Sequence, residues 1–253
     1  MKIINMINQK IAKFINENVV INKKNIFAIF KKELQLYFNS PIAYIVLFIF
    51  LIISGFFYSR PLFIQNYATM RHYFDVLPLF LLFFVPAITM RIYSEEYKTG
   101  TIELIYTLPF SKVEVVLGKY VAAVVVILSG IVLSIIYPIT LFVIGKPDIG
   151  MIISGYFGVF LLCLFFASIG VFASSLTKNQ IVSYIIAFFI MFVFFILGKI
   201  GIFLPHWLSY ISIDFHYDNF VRGVIDIRDI VFFISFTFLF LYSTYLSTTY
   251  RIR

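Results

Sequence analysis

Few residues in this chain have types and spacing suited to chemistry. A phosphate-binding loop needs a glycine five positions before a Gly-Lys pair and a Ser or Thr after it, so that backbone amides wrap the phosphates. The pairs Gly118-Lys119, Gly145-Lys146 and Gly198-Lys199 have neither, so ATP is not bound by that route. The histidines His72, His206 and His216 are scattered over loops, with no Cys or carboxylate cluster at metal-ligand spacing. No Ser-His-Asp arrangement follows from spacing. The single cysteine, Cys163, lies in an apolar run, reads as a small core residue and permits no disulfide framework. Asp75, Glu114, Lys119 and Lys199 fall near the ends of apolar runs, where snorkelling keeps a charge inexpensive. The middles of the runs hold no ionisable residue, which argues against proton or sodium coupling through a buried carboxylate. An external energy source fits better.

The elements that must position these residues are hydrophobic. Of 253 residues, 62% are hydrophobic and 13% charged, against roughly a quarter charged in soluble domains. Apolar runs extend over Pro41–Tyr58, Phe74–Met90, Tyr120–Gly145, Gly150–Ser174, Ile181–Leu204 and Ile230–Ser247, each about long enough to cross a bilayer as a helix. No run alternates polar and apolar residues as a barrel strand would. The sequence therefore predicts an all-α polytopic membrane protein with six transmembrane helices. The net charge of +8 does not indicate nucleic acid, because the basic residues flank the runs and form no aromatic-interleaved patch. With the N-terminus inside, fourteen Lys and Arg residues lie on the cytoplasmic side and six outside, which places both termini in the cytoplasm.

Residues 1–25, rich in Lys and Asn, lack the apolar core and cleavage site of a signal peptide and read as a cytoplasmic tail. Residues 26–253 form the membrane domain. Ile26–Phe38 places Phe27, Phe30, Leu34 and Tyr37 at helical spacing around Lys31, Lys32 and Glu33, the pattern of a helix lying on the inner interface. Asn39-Ser40-Pro41 then turns the chain into the first span. Between spans two and three, RIYSEEYKTGTIELIYTLPFSK (Arg91–Lys112) is too polar to span and too apolar for a plain linker. Ser94 ahead of Glu95, Glu96 and Glu103 suits short helices, and Gly100 permits a sharp change of direction. The outer loop His206–Asp229, with Trp207, Tyr210, Phe215, Tyr217 and Phe220, suits short helices at headgroup level that partly re-enter the outer leaflet. Local ion pairing among Arg222, Asp226, Arg228 and Asp229 is expected to hold it. Small residues such as Ser129, Gly130, Ser134, Gly155, Ser168, Gly170 and Ser174 are candidates for close helix contact between copies.

Four segments together resemble the permease subunits of type-2 ABC exporters, especially the gliding-motility-associated branch. They are FKKELQLYFNSPIAYIVLFIF (30–50), PAITMRIYSEEYKTGTIELIYTLPFSKVEVVLGKY (86–120), FASSLTKNQIV (172–182) and HYDNFVRGVIDIRDIVFF (216–233). The resemblance implies that the segment after span two is a cytoplasmic coupling helix docking on a separate ATPase. It places Glu95, Glu96, Gly100 and Thr101 in that role, with Lys31, Lys32 and Glu33 of the interfacial helix alongside. It further implies an ABC ATPase partner that binds ATP and Mg, pairing with itself or a similar permease, and a place in the cytoplasmic (inner) membrane. A non-transporting scaffold or force-transmitting subunit of an ATPase-linked envelope complex is the alternative.

Overall fold

A computed structural model describes residues 22–64, 69–145, 147–200 and 210–251. Most of the 1–25 tail, and Pro205, His206 and Trp207 of the outer loop, lie outside the described residues. Every regular element among the described residues is helical, and six helical segments are long and apolar enough to cross a membrane.

Helix α1 (Lys23–Phe38) starts where the Asn22 side chain accepts from the Lys24 amide, a standard N-cap bond. At its other end Arg91 donates to the Leu36 carbonyl and the Ser40 hydroxyl, closing a helix terminus that attracts cations. Pro41 opens α2 (Pro41–Ile64), the first span. Span two is α3 (Arg71–Thr89); two short helices follow, α4 (Ser94–Thr99) and α5 (Thr101–Thr107). Gly100 joins them at φ 75, a left-handed conformation that costs glycine nothing. This is the sharp change of direction expected at that position.

Span three begins earlier than its apolar run. Ser111 and Glu114 form a capping box that starts α6 (Lys112–Leu133). The expected single run to Gly145 is two helices, because α6 stops at Ser134 and α7 (Ile136–Ile144) resumes after it. Pro138 has no amide for the Ser134 carbonyl, and that carbonyl accepts instead from the Tyr156 hydroxyl and the Tyr137 amide. The same solution appears in α3, where Pro78 frees the Phe74 carbonyl and the Tyr217 hydroxyl donates to it at 3.1 Å. In lipid such a group has no water to turn to.

Span four, α8 (Ile149–Leu176), is apolar on all sides and is the central helix, packed against spans two, three, five and six. Its small residues work inside the chain. A methyl on Gly155 would lie 2.5 Å from the Phe74 ring, and one on Gly170 would lie 2.7 Å from Thr89 Cβ. Gly130, Ser134, Ser168 and Ser174 are buried as well. The expectation that these residues line a contact between copies is corrected for all but Ser129, which is half-buried: the others let spans of one chain approach. Spans five, α9 (Gln180–Lys199), and six, α11 (Ile227–Arg251), flank α8 and leave much apolar surface outward. Between them α10 (Ile213–Val221) seats Tyr217 and Phe220 against spans two and four. The Asn22 amide bonds Glu114 and Arg251 reaches Tyr97, so both described ends of the chain share the end of the bundle that carries α4 and α5.

Candidate functional site

At that shared end, side chains from four helices converge on α4. Lys119 of α6 is fully buried, and its Nζ lies 2.8 Å from Glu33 Oε1 of α1, 2.8 Å from Glu96 Oε1 of α4 and 3.0 Å from the Ile92 carbonyl. It also sits over the Tyr93 ring. Lys32 closes the cluster from the solvent side, 3.1 Å from Glu96 and 3.5 Å from Glu33. Two ammonium groups thus face two carboxylates with no net charge, the condition under which buried ions are tolerated. Lys119 was expected to snorkel from a span end. It does not, because α1 lies over it and three acceptors replace water.

Close approach of α1 depends on the residue before the lysine. A methyl on Gly118 would meet Ile29 Cβ and Cγ2 at 2.8 Å. The buried stripe of α1 is Ile29, Glu33 and Tyr37, while Phe27 is largely exposed. The expected apolar face is therefore rotated, with Glu33 turned inward to meet Lys119. Tyr37 donates to the Ile88 carbonyl at 2.9 Å. Burial, reinforced by the neighbouring Glu33 charge, holds its phenol well above the usual tyrosine range, so it stays a neutral donor.

Two further contacts fix α4. The Ser174 hydroxyl of α8 accepts from the Tyr93 and Ser94 amides and donates to the Met90 carbonyl, satisfying donors that a helix start leaves open. Arg251, at the end of α11, lies 4.3 Å over the Tyr97 ring and bonds the Ser175 carbonyl. A six-residue helix has little stability alone. Here it is held by α1 and by spans three, four and six.

The seven residues singled out from sequence divide into two sets. Lys32, Glu33 and Glu96 join the buried cluster, whereas Lys31, Glu95, Gly100 and Thr101 are exposed on the rim. The glutamate pair is thus split: Glu95 is exposed, and Glu96 is committed within the chain. A cleft of about 540 Å³ runs between α1 and the α4–α5 turn, lined by Leu36, Arg91, Glu95, Thr99 and Thr101 among others. Sequence reasoning missed Lys119, Ser174 and Arg251 as parts of this site. The available signal was an acid on the apolar stripe of α1 and a lysine flanked by Val115, Val116, Ala122 and Ala123, two misplaced charges of opposite sign.

At the opposite end, His216 Nε2 faces the Tyr210 carbonyl at 2.9 Å and Nδ1 lies 2.6 Å from Asp229, which Asn219 also binds. The expected ion pairing among Arg222, Asp226, Arg228 and Asp229 is not found among the described residues; Asp229 instead contacts His216 and Asn219, and these contacts hold the region. No group of three His, Cys, Asp or Glu side chains suited to a metal occurs among the described residues.

The family described as ABC-2 family transporter protein matches residues 51–248 of the chain. The chain belongs to that family: it is a membrane permease component of an ABC transporter, is not itself the ATPase, and by its family implies an ABC ATPase partner. No curated protein matches it.

Proposed function

We propose that this permease works as an exporter energised by a separate ATPase subunit, which binds ATP and Mg and docks on the α4–α5 turn and the adjoining face of α1. The observation that carries this reading is a short polar element clamped by four helices yet presenting Glu95, Lys98, Gly100, Thr101 and Glu103 outward. An element so held passes a rigid-body displacement to the spans instead of yielding locally. Exposed Glu95 and Glu103 offer acceptors for charge-assisted bonds from basic or amide groups of the partner. The excess of Lys and Arg at this end supports its placement in the cytoplasm, with both termini there and the spans in the inner membrane. Two permeases, identical or similar, would pair in the membrane with two ATPase copies. Likeness of four segments supports the gliding-motility-associated branch.

Co-purification with the ATPase tests the docking surface. Glu95→Lys combined with Glu103→Lys is expected to abolish complex formation and ATPase stimulation; intact binding and stimulation would reject it. ATP-dependent flux in proteoliposomes of the complex separates an exporter from a scaffold that only transmits force.

A further inference from the structure

The buried cluster invites a question that docking alone does not answer: why place four charges between α1, α4 and span three when apolar side chains would pack there at less cost? Apolar contacts tolerate sliding, since their energy varies weakly with register. A lysine with three acceptors at 2.8, 2.8 and 3.0 Å has one good geometry. Each acceptor belongs to a different part of the chain: Glu33 to the interfacial helix, Glu96 to α4, and the Ile92 carbonyl to the link between span two and α4.

We propose that Lys119 is the positioning residue that locks α1 and α4 onto span three, making the interfacial helix and the α4–α5 turn one rigid body with that span. The functional consequence rests on the docking reading above: a displacement imposed at the turn would reach span three through Lys119 and carry α1 with it. Removing the ammonium alone leaves Glu33 and Glu96 facing each other, balanced only by the half-exposed Lys32. The two acids then repel, and α1 parts from α4. Removing all three charges leaves nothing to repel.

The lock is tested on the permease by itself. Spin labels on Phe27→Cys of α1 and Leu104→Cys of α5, both exposed positions, in a Cys163→Ala background report the distance between the two elements by double electron–electron resonance. The parent is expected to give one narrow distribution, Lys119→Met a broad one displaced to longer distance by the repelling acids, and Lys119→Met/Glu33→Gln/Glu96→Gln one still broader than the parent's but no longer displaced. An unchanged distribution in Lys119→Met overturns the proposal, as does a triple variant displaced as far as the single, which would assign the effect to side-chain volume instead of charge, or one as narrow as the parent, which would show that the ion cluster does not set the geometry. Should Lys119→Met fail to fold, Glu33→Met removes one acceptor and is expected to broaden the distribution; no change would again overturn it. With the ATPase present, Lys119→Met should still co-purify through the exposed α4–α5 turn but lose stimulation, and the triple variant should recover only part of it. A purely structural role would lower binding and stimulation together. If Glu95→Lys/Glu103→Lys leaves ATPase binding intact while the distances still respond to Lys119, the docking reading falls and the lock stands.

Discussion

Gly118→Ala measures how closely the interfacial helix must approach span three. The added methyl would lie 2.8 Å from Ile29 Cβ and Cγ2 and 3.1 Å from the Ile26 carbonyl oxygen. Unstrained carbon contacts begin at about 3.5 Å, so a gap of roughly 0.7 Å must open. Turning the Ile29 side chain relieves Cγ2 but neither Cβ nor the backbone carbonyl, so α1 itself has to retreat. That retreat stretches the 2.8 Å contact between Lys119 and Glu33 by about the same amount, out of hydrogen-bond range. Overpacking of this kind costs about 1–3 kcal/mol, and here it weakens the docking of α1. Amide exchange across residues 23–38 in detergent should therefore quicken by roughly fivefold to a hundredfold. Gly130→Ala is the control in the same helix. Its methyl would meet only side-chain carbons of Leu47, Phe84 and Phe50, at 3.1 to 3.4 Å, which can shift by tenths of an ångström. Both variants gain about 1 kcal/mol of helix propensity in α6, so their difference isolates the contact with α1. Equal exchange of α1 in the two variants would refute the reasoning.

Two other outcomes follow from buried polar groups. Tyr217→Phe strands the Phe74 carbonyl that Pro78 already deprives of a donor, and should cost about 1–3 kcal/mol in detergent unfolding. Tyr156→Phe should cost less, because the Ser134 carbonyl keeps the Tyr137 amide; the reverse order would contradict the proline account. His216→Ala leaves the buried Asp229 carboxylate with Asn219 alone, at an expected cost of about 3 kcal/mol or more. Adding Asp229→Asn should then destabilise by clearly less than the sum of the single effects, and strict additivity in this double-mutant cycle would show that the pair is uncoupled.

Much of the architecture was legible in the sequence because lipid imposes a length rule. A helix crosses the bilayer only if it stays apolar for about 20 residues, so six runs announce six spans whatever their arrangement. Local rules were equally readable. Asn39-Ser40-Pro41 breaks α1 from α2, and Gly100 separates α4 from α5 at positive φ. The exposed charges of the segment between spans two and three, Glu95 among them, stand where polarity between two spans suggested.

What tertiary structure alone decided is which charges face inward. Lys119 near a span end and Glu33 amid an apolar stripe each look like solvated groups when only their own helix is considered. They become a buried pair because Gly118 admits α1 to contact distance, and that proximity joins residues 86 positions apart. The same holds for Glu96, indistinguishable from Glu95 by sequence yet turned toward Lys119, and for Ser174 and Arg251, whose partners on α4 lie about 80 and 154 positions away. The sequence by itself determined that this chain spans the membrane and where the polar segment between spans two and three lies. Packing determined which of that segment's residues stay exposed and which bind the chain to itself, since desolvation and pairing act across distances that no local pattern records.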